Sequence, residues 1–353
     1  MSLEKTSEAV REAFVLQAKY CRGLGSPFTA RLCRMLGERL TADSPVGERV
    51  LGWRGNPDAM NDSVPLRLAG AVQAIAMRGT HPSLAKLYPP NPLPDKDVLW
   101  CEIQKLFVNE AGEILRWLEL PPQTNEVGRS AVLMAGLLVI AAETNRPLAL
   151  YEIGSSGGLN LMLDRYSFRL GTVEAGAPGS TLRLEPEWSG PALPNARAKI
   201  IRRRGVDILP LDLATASGRE RLRAYIWPDQ PDRHARTNAA IQIAAAVMPR
   251  IDKADAAEWT EQMIKHEPEL GVARVVMHSI AFQYFPKSTQ RRIGDHLARA
   301  GANARADAPL SWLRMEGVGK PKGGIPLTLT TWPGGTEREL AVASAHGSWI
   351  EWH

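Results

Sequence analysis

The sequence predicts an α/β fold: a doubly wound, mostly parallel sheet, with an all-helical domain before it and an antiparallel hairpin near its C-terminal end. Three observations predict it. Leu148–Asp164, LALYEIGSSGGLNLMLD, reads as strand, glycine-rich turn and helix, the opening unit of such a sheet. Beyond it, apolar strand candidates alternate with amphipathic stretches. Ahead of it, about 120 residues carry apolar positions at helical spacing, interrupted only by Pro and Gly turns.

The chain has 353 residues, 44% of them apolar, enough for two domains with a sizeable core. Its formal charge of +5 suits an anionic substrate. It is too small and too dispersed an excess for a nucleic-acid surface. The dense basic cluster is Arg202-Arg203-Arg204, which is either a solvated strand edge or an anion contact. Three cysteines, Cys21, Cys33 and Cys101, have no C-x-x-C spacing and read as reduced thiols of a cytoplasmic protein. The start, MSLEKTSEAVREAF, is polar and amphipathic, so no signal peptide is expected there. The longest apolar run, Ala131–Ala142, is too short to cross a bilayer and reads as a buried helix.

Taken in order, Val10, Phe14 and Ala18 mark a first helix. Ser26-Pro27 and Ser44-Pro45 are N-cap and first-turn signals, and Leu32, Met35, Leu36 and Leu40 continue the face begun after the first of them. Another helix starts at Pro65, and Tyr88–Pro94 is a proline loop. Asp97–Leu120 reads as one longer helix. Pro121-Pro122 is the boundary, giving a helical domain at 1–122 and an α/β core at 123–353. Thr124 is expected to cap a helix running to about Glu143.

After the glycine turn, Ser167–Leu170 and Thr181–Glu185 are expected to pair as an inserted hairpin. Strands follow at Lys199–Ile208, Arg223–Trp227, Ala273–Ile280 and Pro309–Glu316, with helices at Arg233–Met248, Asp255–Lys265 and Ser288–Ala300. Leu327–Trp332 and Leu340–Trp349 form the closing hairpin across Pro333-Gly-Gly335.

Open α/β sheets bind ligands at the carboxyl ends of their strands, so polar residues there are the candidates. They are Glu152, Asp207, Asp212, Asp229 and His278-Ser279. In the turn itself, Gly154, Ser155, Ser156 and Gly158 would bring backbone close to a ligand. Asp207 and Asp212 offer acceptors for ribose hydroxyls or an adenine amino group, and Asp212 could equally cap the next helix. His278 is the candidate base, and Tyr284 lines the pocket or packs in the core. Trp227 and His346 are weighted toward structure. No metal site is expected, because the histidines are scattered and lack H-x-x-x-H spacing.

The run Glu152-x-Gly154-Ser-Ser-Gly157-Gly158 resembles the first motif of class I S-adenosylmethionine-dependent methyltransferases. An acid there repels a pyrophosphate and suits an ammonium group, which favours S-adenosylmethionine over a nicotinamide dinucleotide. More widely, the chain resembles an uncharacterised bacterial family, a domain of unknown function whose core is similar to those methyltransferases and hence Rossmann-like. The segments that carry the likeness are Gly25-Ser-Pro27, Pro65-Leu-Arg-Leu68 with Leu84–Pro89, and Glu152–Tyr166. Further on they are Arg204–Asp207 with Pro210-Leu-Asp212, Trp227-Pro-Asp-Gln230, His278-Ser279 with Gln283-Tyr284, and His346–Trp349.

The resemblance implies S-adenosylmethionine across Gly154–Gly158, Glu152 near its amino-acid end and Asp207 or Asp212 near its adenosine, with Ser279 alongside. The ribose acid stays open among Glu174, Glu185 and Asp207. The expected activity is methyl transfer to a small molecule, with His278 and Tyr284 as catalytic candidates and no nucleic-acid or membrane partner. The alternatives are a scaffold that binds the cofactor without chemistry, and a nicotinamide-dependent oxidoreductase. The acceptor and the oligomeric state are not readable from the sequence.

Overall fold

The computed structural model describes residues 3–317 and 323–353. Its contacts divide the chain into two units: Met1–Thr124 with Glu220–His234, and Asn125–Arg219 with Ala235–His353. The sequence boundary at 122/123 falls beside the first division; the return of Glu220–His234 to the first unit has no counterpart in the sequence reading.

The first unit contains α1 (Leu3–Gly23), α2 (Pro27–Arg39), α3 (Pro45–Leu51), α4 (Val64–Arg78), α5 (Pro82–Ala85), α6 (Lys96–Asn109) and α7 (Ala111–Leu118). Ser26 and Ser44 cap α2 and α3, each followed by Pro at the first helical position. Leu32, Met35, Leu36 and Leu40 are fully buried with Phe14, Leu68 and Ile75. The single helix expected over Asp97–Leu120 is instead α6 and α7. The chain breaks at Glu110, which leaves helical geometry at φ −119 and whose carboxylate meets His81 Nε2 at 2.9 Å. The segment Arg223–Trp227 is a turn, not a strand: Tyr225 N–H bonds Leu222 and Ile226 N–H bonds Arg223. Ala224 and Tyr225 complete the core of the helical unit, with the Tyr225 ring packed where a Cβ on Gly70 would come within 2.6 Å.

The second unit opens with α8 (Arg129–Thr144) and β1 (Leu148–Ile153), then a 3₁₀ helix, Leu159–Arg165. Next come β2 (Ser167–Leu170), β3 (Val173–Gly176), β4 (Arg183–Leu184), β5 (Glu187–Ser189) and β6 (Ile200–Asp207). They are followed by α9 (Ala216–Arg223) and α10 (Pro231–Val247), whose residues 220–223 and 231–234 belong to the first unit, and then by β7 (Ile251–Lys253), α11 (Ala256–Met263) and β8 (Ala273–Ser279). The chain closes with α12 (Lys287–Ala302), β9 (Leu310–Met315), β10 (Ile325–Trp332), β11 (Thr336–Ala343) and β12 (Trp349–Trp352).

The main sheet has the order β5-β12-β11-β10-β9-β8-β1-β6-β7. Its half from β7 to β9 is parallel, and β10 and β11 form the antiparallel hairpin. The inserted hairpin differs from expectation. β2 turns back onto β3, and β4 joins β2 in parallel, giving a separate three-stranded sheet. Alternation along β1 sorts its residues onto two faces. Ala149, Tyr151 and Ile153 join Ile293 and Leu297 of α12 in one core layer. Leu148, Leu150 and Glu152 therefore occupy the opposite face, which carries α8; Leu313 of β9 packs there at 2.6 Å from where a Gly136 Cβ would stand.

α8 begins four residues later than the Thr124 cap would place it. Asn125 uses its side chain to accept the Leu159 N–H at 2.7 Å, and Gly128 lies against the His346 carbonyl, where a Cβ would come within 2.1 Å.

Candidate functional site

From β1 the chain winds outward through β6 to β7, then returns to β8 on the other side of β1 and continues to β9. β1 and β8 thus flank the point where the winding reverses, where an open α/β sheet forms a crevice at its carboxyl ends. Two non-glycine residues there hold left-handed backbone, Ser156 at φ 52 after β1 and Ile280 at φ 48 after β8. For a β-branched side chain such as Ile this conformation is strained, and such strain concentrates at functional sites.

The turn after β1 is bonded almost entirely within the protein. The N–H groups of Gly154 and Ser155 donate to the Val206 carbonyl at 2.9 and 3.0 Å, and that of Gly158 to Ser155 at 2.7 Å. The Ser156 N–H donates to Asp207 Oδ2 at 2.9 Å, and the Leu209 N–H donates to Asp207 Oδ1 at 2.9 Å. Asp207 therefore ties this turn to the loop after β6. The glycines admit protein neighbours: a Cβ on Gly154 would stand 2.6 Å from that of Ala281, and one on Gly157 would stand 2.9 Å from Leu213. The helix after the turn is a seven-residue 3₁₀ helix. The turn thus has few backbone N–H groups left to offer a ligand.

Glu152 is the unusual group. It is 1% exposed, and its Oε2 has no hydrogen-bond partner. Burial pushes its pKa up to about 8; Asn160, hydrogen-bonded to it, and Arg129 work the other way. Asn160 is held in turn by Ser130 Oγ, which donates to its Oδ1 at 2.7 Å. Arg129 donates to the carbonyls of Ala345 at 2.9 Å and Ser279 at 3.0 Å. Ser156 Oγ, 3% exposed, likewise has no partner. A buried acid and a buried hydroxyl, each with an unused hydrogen-bonding atom, thus stand at the carboxyl end of β1, the middle strand of the parallel half.

His278 has no free nitrogen. Its Nε2 accepts from the Trp312 indole N–H at 3.0 Å, so Nδ1 carries the proton toward Glu316 Oε1 at 2.7 Å. The ring is fully buried and stacked on Phe282, centroids 4.7 Å apart. Glu316 also accepts the backbone N–H groups of Ala281 at 3.0 Å and Phe282 at 3.1 Å. Burial opposes its ionisation, yet the bonds from His278 and those amides outweigh it and hold the carboxyl below its usual range. His278 is the keystone of the loop after β8, and this geometry leaves it no lone pair for a substrate proton.

The remaining candidates divide. Ser279 follows His278 and contributes its carbonyl to Arg129. Asp212 is exposed and caps the turn before α9 by accepting the Ala214 N–H at 2.9 Å. It also borders a cavity of about 200 Å³ formed with Gly157, Leu211, Met248 and Ile251. Tyr284 is half exposed, and Glu174 and Glu185 pair with Arg183 on the small sheet. Arg202, Arg203 and Arg204 are each ion-paired, with Glu269, Asp164 and Asp252, so the basic cluster is a set of side-chain clasps. No metal-binding group of His, Cys, Asp or Glu occurs among the described residues, and no helix among them is long and apolar enough to cross a membrane.

Sequence reading missed Asn160, Arg129, Trp312 and Glu316. Asn160 carried a signal, since a polar residue at the start of an otherwise apolar LNLML run has to be satisfied indoors. Glu316 carried none, because its role follows from the parallel register that sets Ser279 opposite Met315.

Fold and site together define a doubly wound α/β protein with a buried acid at its topological switch point. The particular family follows from the sequence match: residues 11–352 fit the model described as "Uncharacterized protein conserved in bacteria (DUF2332)", and the chain belongs to that family. No curated protein and no solved structure matches it.

Proposed function

We propose that this protein binds S-adenosylmethionine at the switch point and transfers its methyl group to a small molecule. The observation that carries the reading is Glu152: an acid buried at the carboxyl end of β1, the middle strand of the parallel half, with an oxygen that no group among the described residues satisfies. An unpartnered buried acceptor is costly, and a ligand ammonium would satisfy it. Ser156 Oγ supplies a second unused group one turn away. Glu152 and Ser156 would hold the amino-acid end of the cofactor, and the cavity beside Gly157 and Asp212 is the neighbouring space for its nucleoside.

The cofactor, when bound, supplies a methyl group on a positively charged sulfur. The protein's part is positioning: α8 and the 3₁₀ helix orient Glu152 through Ser130 and Asn160, and Glu316 holds the loop after β8. With both nitrogens of His278 engaged, a base from this chain is not required by the reading, and the acceptor would arrive as its own nucleophile.

The engagement of both His278 nitrogens favours one alternative, a module that binds the cofactor without chemistry. Equilibrium titration with S-adenosylmethionine, S-adenosylhomocysteine and NADH, followed by an assay for S-adenosylhomocysteine formation over a panel of amines, phenols and carboxylic acids, separates these. Binding of the first two with turnover supports the transferase. Binding without turnover on any acceptor supports the module, and preference for NADH overturns both.

A further inference from the structure

We propose that the helical unit carries a ligand site of its own, for a compact apolar molecule bearing a cationic amine. The site lies wholly within that unit and does not depend on the reading of Glu152. A cavity of about 680 Å³ is bounded by α2, α4, the proline loop after α5 and the start of α10. Ligand pockets of drug-sized molecules span roughly 300–1,000 Å³ and are mostly apolar with a few polar groups. This one is built that way. Phe28 and Tyr88 form one wall with ring centroids 4.6 Å apart. Met77 and Leu93 line it while remaining 46% and 42% exposed, so large apolar side chains stand where the cavity meets solvent. Five lining residues are prolines, whose fixed φ keeps the walls preformed.

The polar groups decide the ligand's chemistry. Asp229 accepts the Ser26 hydroxyl at 2.5 Å on Oδ1 and the Phe28 N–H at 2.7 Å on Oδ2, which leaves further lone pairs and a negative charge in the lining. No Lys or Arg lines the cavity. The Asn91 amide donates to the Tyr88 carbonyl at 2.9 Å, leaving its oxygen as the free end. His234 is held by the backbone of Trp227 and Ile226, and burial lowers its pKa, which disfavours a positive charge on it in the lining. A carboxylate and an amide oxygen in a lining without Lys or Arg ask for a donor, and the carboxylate favours a positive one.

Titration of the full chain with three probes on one skeleton, 2-(1-naphthyl)ethylamine, 2-(1-naphthyl)ethanol and 1-naphthylacetate, tests the site. The amine is expected to bind tightest and the carboxylate weakest, by tenfold or more. Met77→Arg, which adds a cation at a half-exposed position, is expected to weaken the amine at least tenfold with an unchanged melting temperature. Equal affinity for amine and carboxylate, binding unaffected by Met77→Arg, or no binding of any probe would overturn the proposal.

Discussion

At the scale of single residues, two carboxyls a few strands apart behave oppositely. Glu152 is raised by burial that its one amide partner does not offset, and Glu316 is lowered by a ring of donors. The difference has a thermodynamic sign. An acid at about 8 in the folded state, against about 4.3 unfolded, binds its proton more tightly when folded. Its contribution to stability is therefore complete below the unfolded value and is lost as pH rises through about 8, by on the order of a few kcal/mol. Glu152→Gln is expected to flatten that decline, checked by urea unfolding of both proteins between pH 5 and pH 9. Glu316→Ala removes the acceptor for His278 and for several loop amides, so a loss of roughly 3 kcal/mol is expected at pH 7, where Glu152→Gln, which escapes the decline, is expected to be stabilising.

At the scale of elements, the glycines of the turn after β1 serve packing. Gly154 is the severest case, with φ 69 and a Cβ that would stand 2.6 Å from Ala281. Gly154→Ala is expected to cost about 2 kcal/mol or more, because both backbone and neighbour resist. Gly157→Ala meets only the movable end of Leu213 and should cost about 1 kcal/mol or less; thermal unfolding of the pair measures the contrast.

The elements also separate what was legible in the sequence from what was not. Strand, turn and cap signals are local, so β1, the Ser26-Pro27 cap and the existence of the closing hairpin could be read directly, although its second arm is Thr336–Ala343 and not Leu340–Trp349, where the chain turns at 344–348 into β12. The break at Glu110, the late start of α8 and the turn at Tyr225 depend on partners distant in sequence, His81, Leu159 and the core of α4 among them. In the site, Glu152 was legible because an acid inside an apolar strand is anomalous in any register. The engagement of both His278 nitrogens was hidden, since neither Trp312 nor Glu316 is near it in sequence.

At the scale of the whole molecule, the chain leaves its α/β unit after Arg219 and re-enters it at Ala235, completing the helical core on the way. The helical unit is consequently not contained in the first 124 residues. Gln73 Nε2 donates to the Ile226 carbonyl at 2.5 Å, Arg78 pairs with Glu220, and Tyr225 fills the space beside Gly70. A fragment spanning 1–124 is expected to be helical but to lack a cooperative urea transition, whereas in the full chain Tyr225→Ala should lower the helical unit's stability by about 3 kcal/mol. A cooperative transition in the fragment would mean that Glu220–His234 only decorates a core complete without it.

The central claim is that Glu152 waits protonated for a ligand ammonium. Calorimetric titration of S-adenosylmethionine at pH 7, in two buffers of different ionisation enthalpy, tests it most directly when wild type and Glu152→Gln are compared. The account predicts micromolar binding by the wild type with release of close to one proton, and at least tenfold weaker binding without that release by the folded variant. Equal affinity and equal proton release in the two proteins, or no binding by a wild type stripped of co-purified ligand, would contradict it.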